Sequence, residues 1–116
     1  MPAIALLNDE KEMLGFMLVS PDEPFTPNSV YDCILMGFPK KAELADSPLC
    51  DVIQKHKNTE FTLQVSGEPQ TFSVDLADGW VLQLSIGSEG VGTWCARHSD
   101  GTILPGHCEL AKKGNG

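Results

Sequence analysis

Between Trp94 and Cys108 the chain reads WCARHSDGTILPGHC, a stretch that holds two of its four cysteines and two of its three histidines. Cysteine and histidine serve zinc binding, redox pairing and thiolate catalysis alike, so spacing has to decide among three chemistries. Asp100-Gly101 is a two-residue hairpin signal, which sets His98 opposite Ile103, Trp94 opposite His107 and Thr93 opposite Cys108. On that ladder the histidines stand roughly 13 Å apart, at about 3.3 Å per residue, whereas zinc–ligand bonds are only about 2.0–2.3 Å long. Cys95 and Cys108 face away from both histidines and sit diagonally, roughly 7–8 Å apart, at the limit of a disulfide's reach. The expectation is therefore no metal, no cofactor and no disulfide, with Cys33, Cys50, Cys95 and Cys108 acting as small buried hydrophobes.

Catalytic residues are not assigned either. Neither Cys95 nor Cys108 stands at a helix start or a strand-to-helix elbow, where a thiolate would be stabilised. The glycines of GSEGVG, at Gly87, Gly90 and Gly92, precede no helix and read as a turn rather than a phosphate loop. No paired-carboxylate or serine-elbow motif is present.

These residues have to be carried by something, and the clearest carrier lies just upstream. Phe61, Leu63 and Val65 alternate with Thr62, Gln64 and Ser66; Phe72, Val74 and Leu76 flank Ser73 and Asp75; Trp80, Leu82, Leu84 and Ile86 share one parity. A period of two marks strands with one buried face, and the separators GEPQ, ADG and GSEG are turn chemistry. Register follows from parity. A two-residue Asp78-Gly79 loop sets Leu76 against Val81, on the wrong face, whereas the three-residue loop Ala77-Asp78-Gly79 pairs Leu76 with Trp80, Val74 with Leu82 and Phe72 with Leu84. Gly79 then takes the left-handed position.

Two helices are expected ahead of this meander. FTPNSVYDCILMG offers Thr26 as N-cap, Pro27 at the first helical position and Gly37 as stop, with Val30, Cys33 and Ile34 on one side. DSPLCDVIQKHKN offers Ser47 as cap, Pro48 as opener, Asp51 in the first turn and Lys55 and Lys57 near the end, each favourable to the helix dipole. At the N-terminus, AIALL and MLGFMLVS flank the polar NDEKE, which favours a strand hairpin over the alternative, a helix capped by Asn8 that contains Gly15. The expected fold is α+β: an antiparallel meander of five to six strands, with an N-terminal hairpin, packed on two short helices in one domain spanning 1–116.

Composition narrows function by exclusion. The chain has 116 residues, 41% of them hydrophobic, and a net charge of −8 shared evenly by its two halves. An acidic surface without a basic stripe repels phosphate backbones, so nucleic acid is not expected as a partner. Nor is a membrane: no apolar run approaches the ~20 residues of a membrane span. The opening MPAIALLNDEKE lacks the basic start and the long apolar core of a secretory leader, which makes the cytoplasm the expected compartment.

What remains is binding. If Val91, Thr93 and Cys95 continue the core face of Leu82, Leu84 and Ile86, then Trp94, His98, Ile103 and His107 point outward beside Gln83 as a contact patch. The opposite parity puts Trp94 inside and removes the patch. Pro105 cannot donate to a ladder, which makes the last strand an expected edge, open to homodimerisation by strand addition. The reading is a non-catalytic, acidic protein-binding module, of the inhibitor or immunity-factor kind, that favours a basic partner surface. Its rival is a small-ligand protein or modest enzyme with a pocket lined by Trp94, Cys95, His98 and His107.

Overall fold

The computed structural model describes residues 3–20, 28–37, 47–66, 71–87 and 89–111. In chain order these form β1 (Ala3–Leu7), β2 (Met13–Ser20), β3 (Ser29–Gly37), α1 (Pro48–His56), β4 (Glu60–Ser66), β5 (Thr71–Asp75), β6 (Trp80–Ile86), β7 (Val91–His98) and β8 (Ile103–Ala111). Every strand pairs antiparallel with its neighbours in sequence, and β8 returns to β1, so the sheet closes into an eight-stranded up-and-down barrel.

This overturns the α+β expectation. Residues 29–37 form a strand held on both sides, by β2 through Cys33↔Val19 and by β4 through Cys33↔Phe61, not a helix. The period of two is present there, since Tyr31, Cys33 and Leu35 are buried. It is masked because Ile34 and Met36 on the outer wall are apolar and half-buried as well, so the run imitates a helical stripe. The cap and opener expected for that helix, Thr26 and Pro27, lie outside the described residues. The expected edge is also absent: β8 is paired by β7 on one side and β1 on the other, which leaves no free ladder for strand addition.

An eight-stranded barrel is just wide enough for side chains to fill, and here they do. Ile4, Leu6, Met17, Leu35, Leu63 and Leu82 are fully buried inside the wall. Each such side chain contributes about 1.5–3 kcal/mol relative to its exposed state. The β5–β6 hairpin has the expected register, with Phe72↔Leu84 and Val74↔Leu82. Its tip closes by Trp80 N–H donating to the Ala77 carbonyl at 3.3 Å, and both Asp78 (φ 60°) and Gly79 (φ 84°) take left-handed backbone.

The next two strands take the second of the two parities that the sequence leaves open, the one that puts Trp94 inside. Ile86 pairs with Gly92, Leu84 with Trp94 and Leu82 with Ala96, so Trp94 points inward and is 2% exposed, while Thr93 and Cys95 point out. The β7–β8 loop has three residues rather than two: His98 N–H donates to the Thr102 carbonyl at 2.9 Å and Gly101 N–H to the His98 carbonyl at 2.9 Å, with Gly101 at φ 101°. That one-residue slip from the expected register pairs Thr93 with His107, Trp94 with Gly106 and Gly92 with Cys108. The Trp94 indole fills the space that Gly106 leaves and donates from Nε1 to the Leu7 carbonyl at 2.8 Å. One side chain thus reaches from β7 across β8 to the end of β1.

Helix α1 starts as the sequence predicts. The Ser47 side chain accepts from Cys50 N–H at 3.2 Å, Pro48 opens the first turn, and Asp51 pairs with Lys55 at 3.2 Å. Its buried face, with Leu49, Val52, Ile53 and His56, packs against β2, β3 and β8 and covers that mouth of the barrel. The buried His56 ring fixes the helix in place, with Nδ1 at 2.8 Å from the Val52 carbonyl and Nε2 at 3.2 Å from that of Ala77 in the β5–β6 loop.

Gly106 yields a direct test of the seam. A Cβ there lies 2.5 Å from the Leu7 carbonyl oxygen and 2.6 Å from Trp94 Nε1. Gly106→Ala is expected to lower unfolding free energy by about 1–3 kcal/mol, as overpacking does, measured by urea denaturation. Gly87→Ala, whose Cβ has nothing nearer than 3.6 Å, is the matched control and is expected to cost less.

Candidate functional site

Closing the barrel lines up outward residues from consecutive strands into rows that the linear sequence does not show. Along one row stand Gln64, Ser73, Gln83, Cys95 and Pro105; along the next stand Ser66, Thr71, Ser85, Thr93 and His107. Members of a row are one strand spacing apart, about 4.8 Å, and the rows are two residues apart, about 6.6 Å. None of these ten positions is Asp, Glu, Lys or Arg, in a chain of which 21% is charged. Apart from Pro105 they bear hydroxyls, amides, one thiol and one imidazole, groups that form hydrogen bonds at little desolvation cost compared with an ion.

A groove of about 700 Å³ runs over this wall. Ser73, Gln83, Thr93, Cys95 and His107 line it, its floor is formed by Phe72, Leu84 and Trp94, and Asp9 of the β1–β2 loop stands on its β8 side. A smaller depression bounded by Glu60, Thr62, Gln64 and Asp75 adjoins it on the β4 side, the two sharing Ser73. Charge returns only at the borders. Arg97, in the row beyond, gives its guanidinium to Gln83 Oε1 at 3.1 Å.

Of the five residues expected to form a binding patch, three meet at this groove. Gln83 and His107 point into it from outside, and Trp94 contributes from beneath. Trp94 is thus part of the floor and not the exposed anchor that outward parity would have made it; its indole N–H is already committed to Leu7. Ile103 is 54% exposed in the row beyond, opposite Arg97, and does not line the groove. His98 belongs to the barrel end. Its Nδ1 accepts from Asp100 N–H at 3.1 Å, its Nε2 faces the Asp78 carbonyl at 2.8 Å, and its ring meets Trp80 edge to face at 4.8 Å. Nδ1 also stands 3.1 Å from the Asp100 carboxylate, and these contacts make His98 a clamp between two hairpin tips. Asp100 at that tip has its carboxyl held below the usual range, first by hydrogen bonds from Thr102 and then by His98.

The groove residues that sequence reading missed are Ser73, Ser85 and Thr93; Cys95 was expected on the pocket reading, with Trp94 and His107, and does line the groove, while His98 does not. Each of the three missed residues is unremarkable alone, and the only signal is that two adjacent outward positions on each of four successive strands are uncharged, with Asp75, Arg97 and Glu109 only further along.

The cysteine and histidine set is divided by the wall. Cys108 is inside, His98 lies at the end, and Cys95 and His107 are outside as diagonal neighbours on β7 and β8. All four cysteines are unpaired. Burial pushes the thiols of Cys33 and Cys108 up to about 12, with Asp32 and Glu60 adding to the effect at Cys33. Burial also raises that of Cys50. Cys95 is half-exposed in the groove. A raised thiol pKa keeps the group neutral until pH passes it, and the thiolate is the reactive form. A disulfide reagent at pH 8 is therefore expected to label one thiol rapidly, mapped by mass spectrometry to Cys95, while the other three react only after denaturant is added. Equal labelling of Cys95 and Cys108 in the native protein is inconsistent with the inward parity of Cys108.

No known family model, curated protein or solved structure matches the chain.

Proposed function

We propose that the chain is a non-catalytic protein-binding module that docks its partner on the outer wall of β5 to β8. The observation that carries this reading is the pair of charge-free rows in an otherwise acidic protein. Protein interfaces are marked by depletion of charge at their centre and a polar, charged rim, and this wall has that anatomy. The filled interior supports it too, because hydrophobic side chains occupy the space that a ligand-holding barrel leaves open. The net charge of −8 favours a basic partner surface, approached by electrostatic attraction. No helix among the described residues is long and apolar enough to cross a membrane. Unpaired thiols at all four cysteines suit a reducing compartment, so cytoplasmic residence belongs to the same proposal.

A second reading, a small-ligand site, draws on one specific observation: Cys95 and His107 line the same groove, and its volume falls within the range of small-molecule sites. On that reading a low-molecular-weight fraction of the native extract protects Cys95 from labelling. On the first reading only a macromolecular fraction does.

The protein-docking proposal is tested by charge insertion. The complex captured by the full chain from its native extract is expected to weaken as salt rises. Thr93→Arg, which buries an unpaired charge at the centre of the wall, is expected to weaken it by about tenfold or more. Val30→Lys, at a position 63% exposed on β3, is expected to leave it intact. Loss through Val30→Lys with survival of Thr93→Arg assigns the partner to another face and contradicts the proposal.

A further inference from the structure

Resting on the groove as the docking face, we infer that its occupant is an extended segment of the partner with a basic residue at each end of a short, uncharged, polar stretch. Three features of the wall select this class. First, the barrel has no free edge, so the backbone of an incoming segment cannot extend the ladder and recognition falls to side chains. Second, the centre of the groove holds Ser73, Gln83, Ser85 and Thr93 with no ion, so a charge seated there loses water without gaining a counter-ion. Backbone amides and small hydroxyl or amide side chains meet the rows without that loss. Third, carboxylates stand on both flanks, Asp9 on the β8 side and Glu60 with Asp75 on the β4 side. Among the described residues, no Lys, Arg or His forms an ion pair with any of these three.

Geometry sets the length. From β5 to β8 is three strand spacings, and reaching the flanking carboxylates takes roughly 20 Å, which an extended chain covers with about six residues at 3.3 Å each. Two described cations stand near the path, both at its borders: Arg97, in contact with Gln83 Oε1, and Lys11, which shares a separate depression with His107 and Glu109. Basic groups at the two ends of the segment are therefore drawn to opposite flanks, which fixes its position while the uncharged middle lies across the rows.

The test uses the full-length protein and three probes: a blocked heptapeptide with lysine at both ends and five Ser, Thr and Gln residues between, the same peptide with glutamate ends, and a neutral trisaccharide. The lysine-ended peptide is expected to shift the amide resonances of Ser73, Ser85, Thr93 and Cys95, with an affinity that falls as salt is added. Asp9→Asn and Asp75→Asn are each expected to weaken it by about twofold to fivefold, the size of an exposed ion pair, without shifting the groove resonances in the free protein. Equal or tighter binding of the glutamate-ended peptide or the trisaccharide at the same residues overturns the basic-ended segment and leaves the groove as the site. If none of the probes perturbs these residues, the groove itself is overturned as the docking face.

Discussion

The indole of Trp94 is the interaction on which the rest of the structure turns. It lies inside the barrel over Gly106 and donates its N–H to the Leu7 carbonyl, so one side chain spans the seam where the last strand meets the first. A buried carbonyl left without that donor costs about 1–3 kcal/mol, and Gly106 is the only residue type that leaves room for the ring. Placing Trp94 inside fixes the parity of β7, and pairing then fixes that of β8. Thr93, Cys95, Pro105 and His107 are outward because Trp94, Ala96, Gly106 and Cys108 are inward. The charge-free wall is the reverse side of the core-packing solution.

That dependence explains how a wall made of ordinary residues comes to be ordered. Cross-strand rows bring together hydroxyls and amides from positions far apart in the chain, Gln64 and Pro105 at the two ends of one row. The closed ladder holds them on one sheet as a fixed array of hydrogen-bonding groups, which on the proposed function spares a partner the cost of ordering it. Helix α1, locked by His56 against the β5–β6 loop, closes one mouth and completes the core that supports the wall.

Much of β4 to β6 was legible, because there one face is apolar and the other polar and the alternation survives in the sequence. Leu76 and Trp80 sit at the hairpin end where parity alone placed them, and Ser47-Pro48 announced α1 through capping chemistry that is local. Strand β3 was not legible because its two faces are both partly apolar: Cys33 and Leu35 go inside while Ile34 and Met36 remain half-buried outside. The register of β8 hung on whether Asp100-Gly101 closes a two-residue or a three-residue loop. Local turn preference favoured the first, whereas burying Trp94 required the second. Barrel closure is a long-range pairing of residues 3–7 with 107–111 and leaves no local trace. The groove shares that origin, since its rows exist only once every register is known.

The central claim is the inward parity of Trp94, and its most direct measurement is the nuclear Overhauser spectrum of the two indole N–H protons, assigned with a Trp80→Phe variant. The account predicts that the Trp94 indole proton shows a cross-peak to the Gly106 Hα protons and exchanges slowly with solvent. A Trp94 indole proton that exchanges rapidly, and shows cross-peaks to His107 and none to Gly106, would restore the opposite parity, turn Cys95 into the core and dissolve the charge-free wall.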